Sequence, residues 1–73
     1  MMLFGDRIKS IRLSEGLTQP EFAKMFNITT RQYQRYESNE QFPTVTKLLE
    51  IVNHFDISMD YLFGRTNNPK VSK

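Results

Sequence analysis

The segment Leu17–Glu37, with the sequence LTQPEFAKMFNITTRQYQRYE, constrains the fold more than any other part of the chain. It contains two helix-start signals, eleven residues apart. Thr18 is followed three residues later by Glu21, a spacing typical of a capping box, in which each side chain pairs with the backbone N–H of the other residue. Thr29 and Gln32 repeat that spacing. The segment therefore predicts two short helices in close succession.

The residues between the two start signals predict a tight turn. Asn27 is the residue type that, after glycine, most readily adopts the left-handed conformation that ends a helix. The first of the two helices should therefore end near Phe26, and the second should begin at about Thr30. Two helices joined by a turn of three to four residues form a helix-turn-helix.

The second of these helices has two chemically different faces. Helical spacing places Tyr33, Tyr36 and Glu37 on one side. The opposite side carries only hydroxyl, amide and guanidinium groups, from Thr30, Arg31, Gln34 and Arg35. Such groups read base edges in the major groove of DNA: arginine at guanine, glutamine at adenine, and threonine at the thymine methyl group. An ordinary solvated face is the alternative, but the capped helix pair in front of it favours base recognition.

Composition sets the size and class of the protein. The 73 residues make one small domain, which is expected to bury only about 60% of the surface of the unfolded chain. The absence of cysteine excludes a disulfide scaffold and a cysteine-based metal site. No apolar run reaches the length of a membrane span and no signal-peptide pattern is present, so a cytoplasmic protein is expected.

The charge of the chain is informative through its distribution. The net charge of +2 is too small to indicate nucleic acid by itself. Residues 7–35, however, contain six lysines and arginines against two glutamates, and five of the eight acidic residues lie from Glu37 onward. The positive charge is therefore concentrated around the predicted helix pair.

A first helix precedes this pair. Its buried stripe consists of three apolar residues: Phe4, Ile8 and Ile11. It should end near Gly16, because glycine readily adopts the conformation of a helix C-terminus. Three polar residues are expected to point outward: Arg7, Lys9 and Ser10. Arg12 lies one place past the stripe, close enough to the core to need a partner.

Two further helices are predicted after a polar loop. Thr44 should cap a fourth helix, and Ser58 a short fifth helix over Met59 to Phe63, followed by Gly64. The core face of the fourth helix is predicted to consist of five residues: Val45, Leu48, Leu49, Val52 and Phe55. The predicted fold is all-α, a compact bundle of five short helices over residues 1–64, followed by a polar tail or linker start over residues 65–73.

This arrangement resembles the Xre/Cro-like helix-turn-helix family of phage repressors and bacterial regulators, over about residues 4 to 64. The residues that carry the resemblance are Leu17-Thr18-Gln19, Glu21, Ala23, Ile28, Arg35-Tyr36-Glu37 and Pro43-Thr44. Three positions depart from the family pattern. Asn27 stands where glycine is commonest, Pro20 lies early in the second helix, and Tyr33 replaces a usual aliphatic residue.

The resemblance implies a lambda-repressor-like DNA-binding fold and assigns roles to particular residues. Base contacts would come from Thr30, Arg31, Gln34 and Arg35. Contacts to the DNA backbone would come from Gln19, Thr29, Gln32, Asn39 and Gln41. Arg12 and Glu37 would form an ion pair that orients the third helix rather than touching bases, since each would otherwise be a half-buried, unpaired charge.

Other kinds of function find little support in the sequence. His54 is the only histidine, and no second ligand stands at metal-binding spacing. No nucleophile with a partnered base and no phosphate-binding loop is evident, so neither an enzyme nor a cofactor or small-molecule substrate is expected. A five-residue helix cannot bury Tyr61, Leu62 and Phe63 together. Leu62 should face inward, while Tyr61 and Phe63 are candidates for a dimer interface or for partly exposed core positions.

The sequence thus predicts a regulator that binds double-stranded DNA sequence-specifically, of phage or mobile-element type. A homodimer would bind a pseudo-palindromic operator. Two alternatives stay open. In one, the fold serves protein interaction, as in an antitoxin subunit or a partner of another repressor, with the function carried by the surface around Tyr61 to Phe63. In the other, the chain is the DNA-binding half of a longer repressor, because residues 65–73 resemble a linker.

Overall fold

The computed structural model describes residues 3–70 of the chain. The five helices are α1 (Phe4–Ser14), α2 (Gln19–Met25), α3 (Thr30–Glu37), α4 (Val45–Phe55) and α5 (Met59–Leu62). Within residues 3–70, β structure is limited to one isolated antiparallel bridge between Ile57 and Lys70. The predicted all-α fold of five short helices is therefore confirmed.

Four helices begin at the hydroxyl residue predicted to cap them. The side chains of Thr18, Thr29, Thr44 and Ser58 each accept a hydrogen bond from the backbone N–H three residues on, at 3.0–3.3 Å. The capping box at Thr18 is complete, because its own N–H donates to Glu21 at 2.9 Å. The second box is only half formed. Gln32 donates instead to the Tyr36 hydroxyl one turn further on, at 3.3 Å.

The helix ends also follow local chemistry. Asn27, just past α2, has a φ of 58°, which is the left-handed turn that the sequence predicted. Gly16 has a φ of 69° after α1, and Asp56 ends α4 with a φ of 56°. The C-terminal end of α2 gains a tertiary partner as well, because Lys47 Nζ donates to the carbonyl of Phe26 at 2.6 Å. A cation at this end also complements the helix dipole.

The core is built from the inner faces of all five helices. Phe4, Ile8 and Ile11 are buried as predicted. The predicted core face of α4 is wrong at two positions, because Val45 and Leu49 are 72% and 46% exposed, and a residue it omitted, Ile51, is fully buried. The inward stripe of α4 instead has regular helical spacing and comprises Leu48, Ile51, Val52 and the partly buried Phe55.

Arg7 was expected to point outward and is instead 6% exposed. Its guanidinium lies 4.3 Å from the centre of the Tyr61 ring, and its Nη2 donates to Asn67 Oδ1 at 2.9 Å. The prediction failed because α1 packs against α5. This packing provides an aromatic face on which a planar guanidinium can lie.

Residues 65–70, expected to begin a polar tail, fold back onto the helices. Asn67 receives the hydrogen bond from Arg7, and the carbonyl of Pro69 accepts one from the backbone N–H of Ser58 at 2.9 Å. Polar composition alone does not reveal such a segment, because backbone groups supply part of its contacts with the helices. Residues 71–73 of the predicted tail lie outside the described residues.

The N-terminal end of α1 lies directly against the C-terminal end of α3. A Cβ atom added to Gly5 would lie 2.2 Å from the carbonyl oxygen of Glu37. The backbone N–H of Gly5 donates to Asn39 Oδ1 at 2.8 Å, so the loop after α3 satisfies a free N–H at the start of α1. None of the helices described is long and apolar enough to cross a membrane.

Candidate nucleic-acid interface

Helices α2 and α3 pack through aromatic rings and a small residue. Phe22 lies with its ring centre 4.9 Å from that of Phe26 and 4.5 Å from that of Tyr33. Ala23 is buried, as expected of the small residue where the two helices meet. Tyr33 is fully buried although the family pattern has an aliphatic residue there. Its ring fills the space beside Phe22, and its hydroxyl reaches the carboxylate of Glu37.

The outer face of α3 carries the side chains that the sequence singled out. Arg31, Gln34 and Arg35 are exposed on it, and Thr30 is half-buried at its start. No ion pair among residues 3–70 involves Arg31 or Arg35. Both guanidinium groups are therefore available to an external acceptor.

The outer face of α3 borders an open cleft of about 330 Å³. Its lining consists of Arg31, Gln34, Arg35, Ser38 and Glu40. Ser38 Oγ lies 3.0 Å from Glu40 Oε1, a distance at which the hydroxyl can donate to the carboxylate. Sequence reasoning missed both residues because they belong to the polar loop after α3. Their position directly after a candidate recognition helix was the available signal.

Behind the outer face, the carboxylate of Glu37 collects four donors. Arg12 Nε donates to Oε2 at 2.6 Å, and the Tyr33 hydroxyl donates to the same oxygen. Gln19 Nε2 donates to Oε1 at 3.0 Å, and Arg12 Nη2 lies 3.4 Å from that oxygen. The structure thus brings Arg12 and Glu37 together as a nearly buried ion pair, and it adds Gln19 and Tyr33 to them.

These contacts shift the protonation equilibria of the cluster. Burial raises the pKa of the Glu37 carboxyl, but hydrogen bonds from Arg12, Tyr33 and Gln19 outweigh that effect and hold the pKa below its usual range. The hydrogen bond to Glu37 raises the pKa of the Arg12 guanidinium. Burial, together with the neighbouring carboxylate, raises the pKa of the Tyr33 hydroxyl, so this group remains a donor.

The residues expected to contact the DNA backbone are mostly engaged within the protein. Thr29 caps α3, Gln32 donates to Tyr36, and Asn39 accepts from Gly5. Gln19 is bound to Glu37 and also accepts from Gln34 Nε2 at 3.2 Å. Gln41 is exposed, and its side chain forms no hydrogen bond with any of residues 3–70.

The two interface candidates at the end of α5 differ in exposure. Tyr61 is 8% exposed and lies beneath the guanidinium of Arg7, with its hydroxyl 3.3 Å from Ser10 Oγ. The Tyr61 side chain is therefore already engaged in contacts within a single copy of the chain. Phe63 is 54% exposed and packs against the buried ring of Phe4, at 5.9 Å between ring centres.

A second exposed ring, which sequence reasoning missed, packs on the same side chain as Phe63. Phe42, 58% exposed, packs on Phe4 at 5.4 Å between ring centres. We refer to Phe4, Phe42 and Phe63 as the Phe4 patch. The patch lies beside the C-terminal end of α3, because Gly5, the neighbour of Phe4, touches the carbonyl of Glu37.

Comparisons with known proteins agree with this geometry. The family model described as "Helix-turn-helix" matches residues 8–62. The chain is 36% identical over 64 residues to the HTH-type transcriptional regulator ImmR of Bacillus subtilis, covering 88% of this chain and 50% of the relative. It is 34% identical over 64 residues to the cryptic phage CTXphi transcriptional repressor RstR of Vibrio cholerae, covering 88% of this chain and 57% of the relative.

A third relative, the uncharacterized HTH-type transcriptional regulator YqaE of Bacillus subtilis, is 35% identical over 69 residues. That match covers 94% of this chain and 60% of the relative. The chain thus spans about half to three-fifths of the length of these curated relatives. No solved structure matches the chain at a significant level.

Proposed function

The chain belongs to the helix-turn-helix family whose model matches residues 8–62, and on this basis we propose that it is a transcriptional regulator that binds double-stranded DNA sequence-specifically. Relatives named as a regulator and as a phage repressor support a phage or mobile-element role. In the proposed mechanism, the bound protein regulates by occupying an operator. No catalytic step is involved.

The observation that carries the proposal is the outer face of α3. Arg31, Gln34 and Arg35 are exposed there and bear groups that match base edges. An α-helix such as α3 is about 10–12 Å across with its side chains, which fits a major groove about 12 Å wide. In the proposed complex, Thr30 and these three residues read bases, while Arg12 and Glu37 set the angle of α3 from behind.

Contacts to the phosphates would hold α3 in the groove. The exposed Gln41 and the backbone around Asn39, both in the loop after α3, are the proposed anchors on one side. Gln19, Thr29 and Gln32 lie around the helix pair, where a phosphate would have to compete with their internal hydrogen bonds. Such contacts position the domain and contribute affinity without sequence preference.

A second copy of the chain is the proposed partner on DNA. The Phe4 patch exposes two aromatic rings beside the C-terminal end of α3. A two-fold contact through Phe42 and Phe63 would bury these rings and fix the distance between the two α3 helices. Two copies of α3 would then enter successive major grooves about 34 Å apart, on a pseudo-palindromic operator.

The proposal is tested by selecting bound duplexes from a random DNA pool at about 150 mM salt. Wild type is compared with the double variant Arg31→Ala/Arg35→Ala. The control is Lys9→Ala/Arg65→Ala, which removes the same charge from two exposed residues on other elements. We expect wild type and control to select one motif with half-sites about 10 base pairs apart, and the arginine variant to select none.

The opposite results would be equally clear. If the folded wild-type protein selects no motif, the proposal fails and the protein-interaction alternative gains support. If both double variants weaken selection equally, the effect is one of net charge, and α3 is not the reading element.

A further inference from the structure

Gln19 connects the buried Glu37 carboxylate to the exposed face of α3. Its Nε2 donates to Glu37 Oε1 at 3.0 Å, and its Oε1 accepts from Gln34 Nε2 at 3.2 Å. Gln34 is one of the side chains on the outer face. Both ends of the Gln19 amide are therefore engaged, one toward the core and one toward the proposed DNA surface.

The chemistry of these groups fixes the direction of both amides. An ionised carboxylate only accepts hydrogen bonds, so Gln19 must turn its NH₂ group toward Glu37 and its carbonyl outward. A carbonyl also only accepts, so Gln34 must turn its NH₂ group toward Gln19. The Glu37 carboxylate, at the inner end of this series of hydrogen bonds, is held in place because Arg12 and Tyr33 also donate to it.

This orientation determines what Gln34 presents outward. Its carbonyl oxygen and one N–H remain free, because the other N–H donates to the carbonyl oxygen of Gln19. Adenine displays one acceptor, N7, and one donor, the N6 amino group, in the major groove. Guanine displays two acceptors, N7 and O6, which would require both N–H groups. The remaining groups of Gln34 thus match adenine and do not match guanine.

We propose that Gln19 is a positioning residue for base recognition, holding Gln34 in the amide orientation that reads adenine. The inference rests on the proposed function, since it requires α3 to lie in the major groove. It also changes the role expected of Gln19. A phosphate contact affects all DNA sequences alike, whereas a residue that orients Gln34 affects one base position.

The affinity test uses wild type, Gln19→Ala, Gln34→Ala and the double variant. Each binds the selected duplex and duplexes in which every base pair of a half-site is replaced in turn. Wild type should prefer adenine to guanine at one position by about 5- to 150-fold. Both single variants should bring this ratio toward one at that position alone. The double variant should lose no more of the adenine preference than Gln34→Ala does.

The matched control is Gln41→Ala, which removes an exposed glutamine that forms no hydrogen bond with Glu37, Gln19 or Gln34. It should change affinity for all duplexes by a common factor and leave the adenine preference intact. If Gln19→Ala behaves like this control, Gln19 is a phosphate contact and the inference is overturned.

A second measurement works without DNA. In nuclear magnetic resonance spectra of the free protein, the Gln34 side-chain amide signals should shift in Gln19→Ala and stay in place in Gln41→Ala. Unchanged Gln34 signals in Gln19→Ala would overturn the inference, whatever the protein binds. If the signals shift but wild type selects no motif, it is the proposed function that fails, and the base-reading role falls with it.

Discussion

At the scale of single residues, the carboxylate of Glu37 is a point at which α3 is bonded to other helices. It joins three elements, because Arg12 comes from α1, Gln19 from α2 and Tyr33 from α3 itself. A nearly buried charge of this kind stabilises the fold only while its partners are present. Removing one partner leaves the other charge poorly compensated, and this asymmetry makes the ion pair testable.

Arg12→Met should destabilise the protein by about 3 kcal/mol, because it leaves Glu37 with neutral donors only. Chemical denaturation measures this loss, with Lys9→Met as the control on the exposed side of α1. DNA affinity should fall together with stability, and base preference should be kept at temperatures where the variant is folded. An Arg12→Met protein that is as stable as wild type but has lost base discrimination would show that Arg12 reads DNA directly.

Glu37 should also make stability depend on pH. Its pKa is lowered in the folded protein, so its contribution is present above the unfolded pKa of about 4.3 and is lost as pH falls through the lower, folded value. Urea unfolding of wild type and Glu37→Gln from pH 7 to pH 3 isolates this term. The advantage of wild type should shrink below about pH 4.3. A difference that stays constant down to pH 3 contradicts the assignment.

Glu40 places a negative charge at the edge of the proposed DNA surface, beside Ser38. Glu40→Gln should therefore raise affinity for random duplex DNA several-fold, because a like charge near the phosphates is removed. Fluorescence anisotropy at two salt concentrations measures the change. Glu15→Gln, an equally neutralising change in an exposed residue after α1, should have a smaller effect. Equal effects would mean that net charge, and not the position of Glu40, is responsible.

At the scale of elements, α1 and α3 approach each other closely. The backbone of Gly5 lies so close to the end of α3 that no side chain fits between them. The same glycine donates to Asn39, so the start of α1 and the loop after α3 fix each other. The position of α3 is therefore set from behind by α1, as well as by its neighbour α2.

Gly5→Ala should destabilise the protein by about 1–3 kcal/mol, although alanine favours helix, because its Cβ would overlap the Glu37 carbonyl. Affinity for DNA should fall at temperatures where the variant is folded, since α3 must shift. Gly16→Ala provides the comparison. No atom would crowd a Cβ added at Gly16, but its φ of 69° is unfavourable for alanine. Gly16→Ala should therefore lose stability through backbone strain and leave α3 in place. Equal DNA affinity in the two variants would contradict the positional role of Gly5.

At the scale of the whole molecule, residues 3–70 offer several exposed apolar sites. One is the Phe4 patch, and another is a shallow depression of about 370 Å³ between α4 and α5, lined in part by Leu49, Val52 and Met59. The Phe4 patch adjoins the end of α3. A two-fold contact there would couple dimerisation to the spacing of the two α3 helices, whereas a partner on the depression would leave that spacing free.

Phe63→Glu should weaken the proposed dimer, because two carboxylates would meet across the two-fold axis. The monomer should remain folded, since Phe63 is already more than half exposed. Binding to a single half-site should be unchanged, while affinity for the full operator drops toward that of the half-site. Leu13→Glu, at a similarly exposed residue of α1, serves as the control. If both variants bind the full operator like wild type, the dimer uses another surface.

The sequence by itself determined the helices, their caps and the outer face of α3. Thr18, Thr29 and Asn27 act on groups within four residues of themselves, and helical periodicity operates over the same short range. These features can therefore be read before any tertiary contact is known. The same holds for the inward stripe of α1 and for the concentration of hydroxyl, amide and guanidinium side chains on the outer face of α3.

Only the tertiary structure decided which long-range partners these residues find. The burial of Arg7 depends on Tyr61 and Asn67, which lie more than fifty residues away in the chain. The pairing of Gln19 with Glu37 and Gln34, and the Phe4 patch, likewise join segments that no local pattern relates. The physical reason is that caps and periodicity reflect neighbours along the chain, whereas packing reflects which faces meet after folding.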